Sequence, residues 1–88
     1  MNNDRRFYKM IDGVEVWVTV SKPSPEENQN PTVRTHPFNS AYRFNSSPGI
    51  YIGDFVKQED GRVAWFATQE EAAAAGFSMA EKKINESR

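Results

Sequence analysis

Residues 7–20 read Phe7-Tyr8-Lys9-Met10-Ile11-Asp12-Gly13-Val14-Glu15-Val16-Trp17-Val18-Thr19-Val20, and this stretch decides the fold. Asp12-Gly13 tolerates the positive φ angles of a two-residue type I′ turn, whose twist matches that of paired strands. After the turn, Val14, Val16, Val18 and Val20 fall on one side of an extended chain, and Glu15, Trp17 and Thr19 on the other. A period of two marks a strand with one buried face. The stretch predicts a β-hairpin whose valine face needs an apolar cover.

The C-terminal quarter supplies that cover. Thr68 is placed to cap a helix, and Glu71 three residues later completes a capping box. Glu70 and Glu71 would occupy the first turn, where the helix dipole favours negative charge. Ala72 to Ala75 is a strong helix-forming run. Ala73, Phe77, Ala80 and Ile84 follow helical spacing and define the expected buried stripe. Gly76 lowers helix propensity by about 1 kcal/mol relative to Ala. Its presence suggests a close approach between helix and sheet.

Between these ends the pattern is less regular. Residues 22–40 contain Pro23, Pro25, Pro31 and Pro37 together with Asn28, Asn30 and Asn39. Proline fixes φ and lacks a donor, so the segment predicts a long loop, with Val33-Arg34-Thr35 as a candidate short edge strand. Loops of this length in compact domains are often functional. A short strand is expected at Ala41-Tyr42-Arg43-Phe44, then a turn cluster at Asn45-Ser46-Ser47-Pro48-Gly49. Residues 50–56 and 62–67 are expected as strands joined by a hairpin loop ending in Asp60-Gly61. Gly53 within the first of them signals a bulge or a close backbone approach. The expected architecture is α+β: an antiparallel sheet of about four to five strands, in two hairpins, packed against one C-terminal helix.

Length and composition set limits on function. A chain of 88 residues is enough for one domain, residues 1–88, with the 22–40 loop inside it. So small a domain has a thin core, and association with a partner is a natural way to add buried area. The formal charge is −1 from 11 basic and 12 acidic residues, which argues against a strongly basic nucleic-acid binder while leaving room for a local basic patch. The absence of cysteine removes disulfides, thiol catalysis and cysteine zinc sites together. It suits a cytoplasmic protein. No secretory signal and no membrane span is expected, because no apolar run has the length of either.

The chemistry-bearing residues do not assemble into a catalytic pattern. His36 is the single histidine and stands in the proline-rich loop, so a histidine-only metal site within one chain is excluded by count. Glu70-Glu71 are accounted for by capping and Glu59-Asp60 by a turn. Asp54 interrupts an apolar strand, and is expected to face solvent, to pair with Arg43 or Arg62, or to belong to a surface site. Neither a phosphate-binding glycine loop nor a nucleophile elbow occurs. No enzymatic activity, catalytic residue, cofactor or metal is therefore expected.

Two binding readings remain. Trp17 lies on the strand face opposite the valines. Either it faces outward and marks a protein interface, or the long loop covers it through Val33 or Phe38. Trp17, Val33 and Phe38 are accordingly the candidate protein-interaction residues, for a second copy of this chain or another protein. The alternative is a nucleic-acid-binding module: Tyr8, Tyr42 and Tyr51 are interleaved with Arg5, Arg6, Lys9, Lys22, Arg34, Arg43, Lys57 and Arg62, and Tyr42 and Tyr51 would stack bases while Arg34 and Arg43 hold phosphates. The competing explanation for those residues is ordinary packing and edge protection.

The run Arg62-Val63-Ala64-Trp65-Phe66-Ala67-Thr68-Gln69-Glu70-Glu71-Ala72, continuing to Ala80 and Ile84, resembles the F-x-T-x-E-E-A strand-then-helix ending of many small bacterial and phage proteins. Among these are uncharacterised single-domain families and the sheet-plus-helix arm-binding domains of phage-type integrases. The resemblance covers the last quarter of the chain. It implies a bacterial or phage accessory protein and carries over no functional residue.

Overall fold

The computed structural model describes residues 4–22 and 36–86. Four strands, β1 (Arg5–Ile11), β2 (Val14–Ser21), β3 (Asn39–Ser47) and β4 (Ile50–Phe55), precede one helix, α1 (Gln69–Glu86). The strands form an antiparallel sheet in the order β1-β2-β3-β4, and α1 packs across one face of it. Val33, Arg34 and most of the proline-rich loop lie outside the described residues. No helix among the described residues is long and apolar enough to cross a membrane.

The first hairpin forms as its sequence dictates. Asp12 and Gly13 have φ values of 50° and 80°, the positive pair that a type I′ turn requires. The register that follows pairs Ile11 with Val14, Tyr8 with Trp17 and Arg6 with Thr19. Val16, Val18 and Val20 are buried under the helix beside Tyr42 and Phe44 of β3. Each such side chain contributes about 1.5–3 kcal/mol when taken from water.

The second hairpin differs from expectation. It joins β3 to β4 through Pro48-Gly49, with Gly49 at a φ of 79°. Asn45-Ser46-Ser47, which reads as turn sequence, belongs to a strand that begins at Asn39. A register shift between Asn45 and Ser47 accommodates the extra residue. Residues 62–67 form no continuous strand. Val63 bridges Lys57, and Phe66 bridges Phe38, so the segment divides its backbone hydrogen bonds between two partners. Ala64 N–H donates to Val56 O at 2.9 Å, and Phe66 N–H to Phe38 O at 2.7 Å. Four successive residues, Val63 to Phe66, are half-buried, without the alternation that a ladder would impose.

The helix begins as expected. The N–H of Glu71 donates to Thr68 Oγ1 at 3.1 Å, satisfying one of the free donors of the first turn. Its buried row is Ala72, Gly76, Ala80 and Ile84, with Ala73 beside it. Phe77, expected within the stripe, sits half-buried at its flank with the Lys9 ammonium 5.8 Å from its ring centre. The reason is distance. A Cβ on Gly76 would stand 2.6 Å from Val18 Cγ1 and 2.7 Å from Ser40 Oγ, so only the smallest residues fit along the line of contact.

The helix lies over β2 and β3, touches β1, and makes no substantial contact with β4. A groove of about 300 Å³, bordered by Tyr42, Asp54, Phe55, Met79, Lys82 and Lys83, runs between α1 and β4. The sheet therefore has a covered half and an uncovered half.

Candidate interaction surfaces

Strand alternation and hairpin register together fix what lies on the sheet face away from the helix. Arg6, Tyr8 and Met10 come from β1, Glu15, Trp17 and Thr19 from β2, Ala41 and Arg43 from β3, and Tyr51, Gly53 and Phe55 from β4. One rung runs Tyr8–Trp17–Arg43–Gly53, and the next runs Arg6–Thr19–Ala41–Phe55. The Tyr8 and Trp17 rings are 5.7 Å apart and tilted by 56°, and Trp17 and Tyr51 are 6.5 Å apart and tilted by 57°. Both pairs are tilted, at centroid separations within the range that aromatic pairs favour. The Arg43 guanidinium lies 4.4 Å from the Tyr51 ring centre.

This face is hollowed where Thr19 stands among larger side chains. Arg6, Trp17, Thr19, Arg43 and Tyr51 surround a depression of about 280 Å³. Gly53 is required beside it. A Cβ there would sit 2.8 Å from the Tyr42 carbonyl oxygen, so the glycine signals a close backbone approach, and the bulge lies elsewhere. At the far end of the face, the Tyr8 hydroxyl donates to Glu15 at 3.1 Å.

The second surface is β4 itself. All six residues from Ile50 to Phe55 are exposed, with Ile50 at 56%, Tyr51 at 49%, Ile52 at 37% and Phe55 at 46%. The helix makes no substantial contact with the strand, and β4 is the last strand of the sheet among the described residues. The opposite edge, β1, carries Arg5, Arg6 and Lys9, the charges that discourage edge pairing. β4 carries a single charge, Asp54. The N–H of Phe55 donates to its carboxylate at 2.7 Å, and Lys57 Nζ lies 3.2 Å away. The Phe55 amide, then the Lys57 ammonium, hold the Asp54 carboxyl below its ordinary value of 3.8. Its partners are thus local, and neither Arg43 nor Arg62 is among those ion pairs.

The residues singled out in the sequence divide between the two faces. Trp17, Arg43 and Tyr51 come together on the outer face. Tyr42 is turned to the opposite side, buried at 4% exposure beneath the helix and stacked on Phe44. Burial, and then the charge of Asp54, raise its phenol above the ordinary 10.0. Phe38 packs against the core and pairs with Phe66, so it does not roof Trp17. His36 is exposed. Among the described residues no cluster of three or more His, Asp or Glu could hold a metal.

Arg6 and Tyr8, two of the interleaved basic and aromatic residues, are set opposite Thr19 and Trp17 by the two-residue turn. No protein-family model, curated protein or solved structure matches the chain, so its function is read from this geometry.

Proposed function

We propose that this protein acts by binding another protein chain through the β4 edge, and that the partner is a second copy of itself. The observation that carries the reading is the exposure of all six residues of β4, among them Ile50, Tyr51, Ile52 and Phe55, at the edge of the sheet that the described residues form. A strand at a sheet edge presents unpaired N–H and C=O groups, and a flat apolar edge is a template for a further strand. Antiparallel pairing of two β4 strands about an axis normal to the sheet makes one eight-stranded sheet. Both helices then lie on one side, and Ile50, Ile52 and Phe55 of each copy gain apolar neighbours. Such closed two-fold pairing is self-complementary.

The association supplies what a small domain lacks. The helix covers only part of the sheet, and the uncovered strand is the part a partner would bury. Sedimentation velocity over a range of concentrations tests the proposal. The expected result is a reversible dimer, reduced to monomer by Ile52→Lys, which places a charge in the contact. A wild-type chain that stays monomeric throughout, or a dimer that Ile52→Lys leaves intact, would refute it.

A further inference from the structure

The outer face is not consumed by that pairing, because strands pair in the plane of the sheet. We propose that this face binds single-stranded nucleic acid, with a base lodged in the depression beside Trp17 and Tyr51 and the phosphate backbone held by Arg6 and Arg43. Three features on the face point to this class of ligand.

The first is the row of rings. Tyr8, Trp17 and Tyr51 form a continuous aromatic surface across the sheet, and every base offers a flat π-face to such a surface whatever its sequence. The second is charge. Arg6 and Arg43 flank the depression, and neither is in an ion pair among the described residues. Each guanidinium carries five N–H donors and no acceptor, so the site calls for an acceptor-rich anion. Of the described acids, Glu15 accepts the Tyr8 hydroxyl at 3.1 Å, and Asp54, which borders an adjoining hollow shared with Arg43 and Tyr51, is paired with Lys57 at 3.2 Å.

The third feature is shape. Thr19 is the small residue of the lining, and Arg6, Trp17, Arg43 and Tyr51 stand around it. A volume of about 280 Å³ falls just below the roughly 300–1,000 Å³ of small-molecule clefts. It suits one planar base more than a whole cofactor. The depression is open along the sheet, which lets a strand enter and leave. The balanced net charge of −1 is consistent with a weak, local, salt-sensitive contact rather than a broad basic footprint.

Fluorescence anisotropy of a labelled oligothymidylate of about ten nucleotides, titrated with the full chain, is the test. Binding is expected at about 50 mM salt and is expected to weaken steeply toward about 200 mM. Arg6→Gln and Arg43→Gln should each weaken binding and lower the salt slope by about one. Tyr51→Ala should weaken it about tenfold with little change in slope. Lys82→Gln, on the helix, should leave binding as it is. Ile52 points away from the outer face, so Ile52→Lys should also bind, whether or not the chain dimerises. No anisotropy change at any accessible concentration, or equal losses in Lys82→Gln and Arg43→Gln, would overturn the proposal. So would Trp17 fluorescence, read in a Trp65→Phe background, that responds to a proline-rich peptide and not to the oligonucleotide.

Discussion

Replacing Gly76 by alanine tests how closely the helix sits on the sheet. On an exposed helix the change would stabilise by about 1 kcal/mol, because glycine is the more flexible residue in the unfolded chain. Here the added Cβ would meet Val18 Cγ1 at 2.6 Å, Ser40 Oγ at 2.7 Å and Val18 Cγ2 at 2.9 Å. Carbon atoms in contact prefer about 3.5–4.0 Å, so the overlap approaches 1 Å. Neither neighbour has room to move. Val18 and Ser40 are both at 0% exposure, and a β-branched side chain on a strand is stiff about χ1. Overpacking of this kind costs about 1–3 kcal/mol, and two pinned neighbours place it at the upper end. After the propensity gain, Gly76→Ala should destabilise by about 2 kcal/mol, which lowers the midpoint of thermal unfolding by about 8–16 °C in a domain of this size. Circular dichroism melts of Gly76→Ala and of Ala74→Gly, at an exposed position of the same helix, make the comparison. The second variant should lose only about 1 kcal/mol. A Gly76→Ala protein as stable as wild type, or more stable, would refute the close packing of α1 on β2 and β3.

Three further outcomes follow from the same packing and electrostatics. Ser40 Oγ is buried with no hydrogen-bond partner among the described residues, so Ser40→Ala should raise stability by about 1 kcal/mol in urea titration, and should recover part of the Gly76→Ala loss when the two are combined. Thr68→Ala removes the acceptor of the Glu71 N–H and should cost about 1 kcal/mol by the same assay. The Asp54 carboxyl is held below 3.8 by the Phe55 amide and Lys57, so the stabilisation it provides is present above that value and is lost as pH falls through the lowered one. Asp54→Asn should therefore flatten the acid limb of the stability profile below about pH 4, and an unchanged limb would show that the carboxylate contacts are not formed in solution.

Where the sequence carried a local physical signal, the fold was legible in it. Asp12-Gly13 and the alternating valines fixed the first hairpin, and Thr68 with Glu71 fixed the start of the helix. Gly76 and Gly53 each marked a close approach that the coordinates bear out. Phe77 packs against the core only half-buried, because helical spacing identifies a face and not the distance at which that face packs. The Asn45-Ser46-Ser47 run reads as a turn by composition, yet pairing with β4 and a register shift keep it extended. Residues 62–67 look like a strand but find two separate partners, Lys57 and Phe38, which no local pattern reveals.

The outer surface was half legible. Trp17 followed from the parity of β2. The opposite fates of Tyr42 and Tyr51 depended on how β3 and β4 join the sheet, and Ala41-Tyr42-Arg43-Phe44 does not alternate clearly enough to say which side is buried. The exposure of β4 was hidden for a different reason. Its apolar residues look like core residues, and only the position of the helix over β2 and β3 leaves them bare.

Amide hydrogen exchange as a function of protein concentration tests the role of that strand most directly. Among the described residues no strand pairs with the outer edge of β4, so in an isolated chain its outward amides should exchange rapidly. If two copies pair through β4, amides within residues 50–55 should become protected as concentration rises, and those of β1 at the opposite edge should not change. Exchange in β4 that is equally fast in dilute and concentrated protein would contradict the account.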